Sequence, residues 1–245
     1  MFRVCILALL ALITATVSLS TSSTGQFIRT PGANRIAKSK YAFELDSEAM
    51  IKKFNFPLSS AKLISRAKEV LAGDVLVPSD LAEDFSFQFP VVGPLNKAQY
   101  LEAVGGFKIK SMFPDANYGY YDFRCDPFQP NRVWFSAAFI GTNTGDSEAF
   151  GKATGKFVEC PPQAISFTFN TDGQVNRYTG GYVMDKTLGN SGGMGGLFGP
   201  LWAIGRPLPF PEAQPWTPSL KYVVVNKVGA LLGKLAKLRA PKKGE

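Results

Sequence analysis

The residues with the clearest chemical potential lie along one predicted strand, Val175 to Met184, which carries Tyr178 and Tyr182 and runs into Asp185. A positioned carboxylate can move a proton, and a phenol can donate a hydrogen bond to a developing enolate oxygen. These groups stand out because the 245-residue chain contains no histidine. Histidine is the commonest general base and metal ligand near neutral pH. Ser-His-Asp and Cys-His arrangements are therefore excluded. With Cys5 in a leader, the remaining cysteines are Cys125 and Cys160, which have no C-x-x-C spacing. Zinc chemistry is disfavoured and no metal site is expected. Both thiols are expected to be buried, with a single bridge between them as the alternative.

Long antiparallel strands must position these groups. Arg132 to Thr142 is rich in aromatic and β-branched residues, which suit a pleated, half-buried surface. Ile165, Phe167 and Phe169 alternate with Ser166, Thr168 and Asn170, the period-two pattern of a strand with one wet face. Thr171-Asp172-Gly173-Gln174 supplies a hairpin turn before the returning strand. Asp84 to Phe89 and Asn117 to Cys125 read as further strands, with Tyr118, Tyr120, Asp122 and Arg124 on one face of the second. Upstream, Tyr41 to Phe56 has apolar residues at roughly helical spacing. Ser59-Ser60 can cap a second helix that stops at Gly73, and Leu81 to Glu83 reads as a short helical turn after Pro78. Asn96 can cap a third helix. Segregated helices and an antiparallel meander imply an α+β fold. Its helices pack on one face of a curved, mainly antiparallel sheet, giving a cone-shaped cup.

The phrases Leu81-Ala-Glu-Asp-Phe-Ser-Phe87, Gly93-Pro-Leu-Asn-Lys97 and Tyr100-Leu101 are followed by Thr142-Asn-Thr-Gly145 and Ala153-Thr-Gly-Lys156. Phe169-Asn-Thr-Asp-Gly-Gln-Val175 and Asp185 complete the set. In this order they resemble a SnoaL-like domain of the nuclear transport factor two-like superfamily, over about Ser59 to Asp185. The resemblance implies a pocket for a small, largely apolar molecule, with cofactor-independent cyclase or isomerase chemistry as one outcome and simple binding as another. In the polyketide cyclases of that family an aspartate near the end of the last long strand acts as acid and base, and Asp185 matches its position. Burial beside aromatic rings would raise its pKa for that role. Its alternative role is to cap the strand end before the glycine-rich loop. A bulge at Gly180-Gly181 would reverse the face on which it emerges. Asp122 and Arg124 either bind a polar end of the ligand, together with Tyr100, or form a solvated ion pair.

The organisation along the chain is a signal peptide over 1–20, a basic Ser/Thr-rich transit-like segment over 21–43, and the α+β domain over 44–187. A Gly/Pro-rich extension over 188–218 and a basic amphipathic helix over 219–245 follow. Such a tandem leader implies delivery to a plastid through secretory entry, with secretion or an endomembrane lumen as the alternative. The net charge of +8 lies mostly at the two ends, which speaks against a nucleic-acid groove. Gly189 to Pro200 reads as either a flap over the pocket or a linker, and Leu197 to Pro218 as extended chain wrapping the domain. The final helix, with Leu220, Val224, Val228, Leu231, Leu235 and Leu238 at three- and four-residue intervals, suits docking of a non-catalytic module on an anionic membrane surface or a protein assembly, with packing on its own domain as the alternative. A homodimer is compatible with this fold class. No cofactor is expected.

Overall fold

The computed structural model describes residues 44–73 and 76–239. The expected signal and transit segments, and the start of the helix anticipated from Tyr41, lie outside the described residues. The described residues up to Gln214 form one compact unit, and those from Pro215 onward form another.

In the first unit the helices are α1 (Ser47–Lys52), α2 (Ser60–Ala72), α3 (Lys97–Phe107), α4 (Ile109–Met112) and α5 (Phe198–Ala203). The strands are β1 (Leu81–Gln88), β2 (Leu95–Asn96), β3 (Tyr121–Cys125), β4 (Arg132–Ala137), β5 (Ile140–Thr142), β6 (Phe157–Glu159), β7 (Gln163–Phe169) and β8 (Val175–Val183). Six strands form one sheet in the order β2-β1-β8-β7-β4-β3, and β5 pairs with β6 in a second. All pairs are antiparallel except β1 with β8. The α+β expectation, with a mainly antiparallel sheet, matches this architecture.

The caps of α2 and α3 fall where the sequence places them. Ser59 Oγ accepts from Lys62 N at 3.3 Å, and Asn96 Oδ1 accepts from Gln99 N at 3.0 Å while Gln99 Oε1 accepts from Asn96 N. Each satisfies a first-turn donor that the helix itself leaves open. Leu63, Ala67 and Val70 of α2 then bury against Val133, Phe135, Phe167, Phe169 and Val175 of the sheet, together with Tyr100 of α3. Removing such surface from water is the main stabilising term, about 25 cal/mol per Å² of apolar area. Arg66 fixes where α2 lies: its Nη2 meets Asp80 Oδ1 at 2.6 Å and its Nε donates to Gly173 O at 3.0 Å. One guanidinium thus ties the helix to the turn before β1 and to the β7–β8 hairpin.

Other elements differ from the sequence reading. The first helix is confined to Ser47–Lys52, begun by Asp46, whose Oδ1 accepts from Ala49 N. Leu81 to Glu83 is strand, because the 3₁₀ turn ends at Asp80. The strand expected from Arg132 to Thr142 breaks after Ala137, and its far end joins the second sheet. That small sheet has its own core of Met112, Phe113, Phe139, Val158, Leu201 and Ile204. Asn143 holds it together from a buried position: its Nδ2 donates to Met112 O at 3.1 Å, and its Oδ1 accepts from Thr154 N and Oγ1, each at 2.9 Å.

The glycine-rich run is neither flap nor linker. Gly196 N donates to Gln163 Oε1 at 2.7 Å, Ser191 Oγ donates to Met194 O, and Asn190 exchanges hydrogen bonds with the backbone of Phe157 and Glu159. A Cβ at Gly195 would stand 2.5 Å from Gln163 Oε1, so glycine serves close packing there. Phe198–Ala203 is a helix where extended chain was expected. Pro200 sits in its first turn, where no N–H is required.

Two strands of the main sheet, β8 in its interior and β3 at its edge, carry an extra residue. In β8, Thr179 and Tyr182 face Ser166 and Ala164, so three steps on β8 match two on β7. The surplus falls at Gly180-Gly181, where Gly181 has φ +79° and a Cβ would meet the Phe89 ring at 2.7 Å. Substituting Gly181→Ala is expected to lower the unfolding free energy by about 1–3 kcal/mol, measured by urea denaturation. An unchanged midpoint would show that the bulge does not depend on glycine.

Candidate functional site

Alternation along β4 divides the sheet chemically. Val133, Phe135 and Ala137 are buried toward the helices, whereas Arg132, Trp134 and Ser136 face the other way, as do Ser166 and Thr179 on the neighbouring strands. The two faces hold different groups.

On the helix side a cluster of rings closes around four tyrosines. Tyr178 of β8 lies 4.9 Å from Phe167, 5.2 Å from Phe87 and 6.2 Å from Tyr100, ring centre to ring centre. Tyr118 and Tyr120, just ahead of β3, stack at 5.6 Å, and Tyr120 meets Phe135 edge-on. Burial pushes the phenols of Tyr178, Tyr120 and Tyr100 well above their usual value. Neighbouring hydroxyls add to the rise: Tyr100 and Tyr118 act on Tyr178, Tyr178 and Tyr118 on Tyr120, and Tyr120 and Tyr118 on Tyr100. Each disfavours a second negative charge nearby. These phenols are therefore neutral hydrogen-bond groups in an apolar surround.

The predicted site residues are dispersed. Tyr178 and Tyr100 belong to the inner cluster. Tyr182 does not: the bulge turns it to the opposite face, where its side chain is 57% exposed. Asp185 is exposed, and its Oδ1 accepts from Thr187 N at 2.9 Å and Thr187 Oγ1 at 2.6 Å. Those hydrogen bonds hold its carboxyl below the usual range, opposite to the rise that burial would cause. In this arrangement Asp185 closes a turn. Asp122 and Arg124 form an exposed pair at 2.8 Å, worth under about 1 kcal/mol in such a setting. They do not share a face with Tyr118 and Tyr120. Asp122 takes φ +58° and adds one residue to β3 opposite β4, which swings Arg124 to solvent and returns Phe123 and Cys125 to the core.

Cys125 and Cys160 are both buried and unbridged. Burial lifts the Cys125 thiol and pushes that of Cys160 up to about 12, so neither is a nucleophile near neutral pH. Among the described residues no group of His, Cys, Asp and Glu could hold a metal.

On the outer face a cleft of about 370 Å³ opens between the end of β1 and β8, lined in part by Phe89, Pro94, Arg132, Trp134, Thr179 and Tyr182. The Arg132 guanidinium lies over the Trp134 ring, 3.9 Å from its centre. Arg132 donates from Nε to Ser166 Oγ at 2.9 Å, from Nη2 to Thr179 Oγ1 at 3.1 Å and from Nη1 to Gln129 Oε1 at 3.3 Å. Trp134 Nε1 in turn donates to Asp126 Oδ2 at 2.8 Å. Neither Arg132 nor Trp134 was singled out by motif. The available signal was the alternation of Arg132, Trp134 and Ser136 against three buried apolar residues.

No family model matches the sequence, and no curated protein matches it significantly. Solved structures do match. AclR, a candidate hydroxylase from Streptomyces galilaeus, is 16% identical with a TM-score of 0.45, over 73% of this chain and 98% of that one. A candidate SnoaL-like polyketide cyclase from Jannaschia sp. CCS1 is 15% identical with a TM-score of 0.44, over 61% and 95%. An NTF2-like protein from Anabaena variabilis ATCC 29413 is 17% identical with a TM-score of 0.36, over 51% and 87%. The chain is similar to SnoaL-like and NTF2-like proteins. A likeness at this level concerns the backbone plan and gives no residue a role.

The raised phenols lead to a direct check. In the folded protein Tyr100, Tyr120 and Tyr178 keep their protons above the usual tyrosine value of 10.0, whereas in the unfolded chain they begin to lose them there. The unfolded state then binds fewer protons than the folded state, so the contribution of these three phenols to stability is fully present below about pH 10 and is lost as the pH rises above it. Absorbance at 295 nm should show fewer than the chain's eight tyrosines ionising before unfolding, with the remainder appearing as one step on unfolding. Ionisation of all of them in the folded state would contradict their burial.

Proposed function

We propose that the first unit binds a small, largely apolar molecule carrying an oxygen function, held between the helices and the sheet at the tyrosine cluster. The observation that carries this reading is the convergence of Tyr100, Tyr118, Tyr120 and Tyr178 inside an aromatic shell, with three of the phenols held neutral. A neutral phenol donates to a carbonyl or enolate oxygen, and it does so more effectively where water is excluded. The surrounding rings, including Phe87 and Phe167, suit apolar carbon.

The same geometry bears on cyclase or isomerase activity. Orientation and polarisation of an oxygen are within reach of the phenols. Abstraction of a proton needs a base, and among the described residues no carboxylate is buried. Binding is accordingly the primary function, and any turnover would draw on solvent or on the ligand itself. Native mass spectrometry of purified protein should reveal a retained small molecule, lost on mild denaturation. Tyr178→Phe, which keeps the ring and removes the hydroxyl, is expected to weaken its retention by about tenfold, the scale of one buried hydrogen bond. Retention unchanged in Tyr178→Phe would place the ligand elsewhere.

A second reading rests on α6 (Leu220–Arg239) of the second unit. Between Glu212 and Glu245 the sequence has no acidic residue, while Lys221, Lys227, Lys234, Lys237, Arg239, Lys242 and Lys243 lie within that interval. Leu220, Val224, Val228 and Leu231 are exposed along one side of the helix. No described helix is long and apolar enough to cross a membrane, but an apolar side with a basic flank suits adsorption to an anionic bilayer. The leader composition supports delivery to a plastid through secretory entry. Cosedimentation with phosphatidylglycerol vesicles should depend on residues 219–245. Equal cosedimentation of a chain ending at 218 would exclude this reading.

A further inference from the structure

We propose that the outer face of the sheet carries a second small-molecule site, the cleft at Arg132, and that it takes a planar organic anion such as an aromatic carboxylate. The site is separate from the tyrosine cluster, because the two lie on opposite faces of the same strands. It does not depend on that cluster binding anything.

The cation comes first. Arg132 begins β4 and is half-buried, and its three side-chain partners, Ser166, Thr179 and Gln129, are all uncharged. They take three of the five guanidinium N–H groups, leaving one on each terminal nitrogen. N–H groups on the two terminal nitrogens of one planar fork can serve the two oxygens of a carboxylate. Asp126 acts on Arg132 through its charge but takes its hydrogen bonds from other groups. Its Oδ2 accepts from Trp134 Nε1, and its Oδ1 accepts from Phe128 N and Gln129 N at 2.8 and 3.0 Å. Arg177 adds positive charge on the same face, since it and Arg132 flank Thr168 from either side. None of the cleft's lining residues is acidic.

The walls supply the planarity. Trp134 already stacks beneath the guanidinium, and Phe89, Tyr182 and Pro94 present flat apolar surfaces around the opening. A volume of about 370 Å³ falls in the lower part of the range for small-molecule sites, roughly 300–1,000 Å³. Arg132 is also held in place without a ligand: Ser166 Oγ and Thr179 Oγ1 stand 2.8 Å apart and brace its fork from the sheet floor. A preset cation loses little rotamer freedom on binding.

Calorimetry on the purified full chain tests this with 2-naphthoate, its uncharged amide 2-naphthamide, and inorganic phosphate. Naphthoate should bind at least about tenfold more tightly than naphthamide, the scale of a hydrogen bond to a charged group. Arg132→Gln should bring naphthoate down to the level of naphthamide. Because Arg132 also braces the sheet face, Tyr182→Ala provides a variant at the rim with the guanidinium intact. It should weaken both ring compounds several-fold and leave their ratio unchanged. Tyr178→Phe should leave naphthoate binding as it is, which separates this site from the inner one. The proposal is overturned by naphthoate binding no tighter than the amide, or by a folded Arg132→Gln that keeps the preference. Phosphate binding as tightly as naphthoate would overturn the planar requirement and leave an adventitious anion site.

Discussion

The extra residue at Gly180-Gly181 of β8 decides which chemistry reaches which side of the sheet. Strand side chains alternate strictly, so one inserted residue reverses every position beyond it. Tyr178 lies before the insertion and points to the helices, and Tyr182 lies beyond it and points away. The insertion needs two glycines. A Cβ on Gly180 would stand 2.9 Å from the Phe89 ring, and Gly181 combines φ +79° with the same ring at 2.7 Å. Phe89 fills the space those side chains would have used. It stacks on Phe87 at 4.4 Å, meets Tyr178 edge-on, and lines the outer cleft. The bulge thus sets the inner aromatic wall and one wall of the cleft together.

The same device recurs at β3, with aspartate in place of glycine. Asp122 adopts φ +58°, a conformation that Asp tolerates better than most residues because its short side chain bonds locally. Here that local bond goes to Arg124. Beyond it Phe123 and Cys125 return to the core. Period-two reading succeeded where the strand is regular, as for Ile165, Phe167 and Phe169 of β7. It failed at Tyr182 and Arg124, because a pattern of hydrophobic and polar residues has no marker for a register shift. Gly180-Gly181 offered the necessary hint, and Asp122 offered none.

Helix boundaries set by side-chain caps were legible for a related reason. Ser59 and Asn96 act through hydrogen bonds to residues three positions away, so the whole device lies within a short window of sequence. The glycine-rich run and the short helix at Phe198 were not legible. Their order comes from Gln163, Glu159 and Cys160, more than thirty residues upstream. Local composition describes such a segment as loose, and only its distant partners make it rigid.

The two faces solve the problem of burying polar groups in opposite ways, and this limits what each can bind. Inside, the polar atoms are phenols, which stay neutral because ionisation in an apolar shell is costly. Outside, the polar centre is a guanidinium, which cannot discharge in this pH range and is instead surrounded by hydroxyl and amide oxygens. Burial lowers its proton affinity, Asp126 opposes that, and Arg177 reinforces it. A neutral, oxygen-bearing molecule suits the first environment, whereas it gains little from the second. An anion is the reverse case. It would face the cost of desolvating its charge inside, and a half-shielded positive charge outside. The two faces therefore differ in charge across the thickness of one sheet, neutral phenols inside and a guanidinium outside, without a histidine or a buried carboxylate on the described residues of either face.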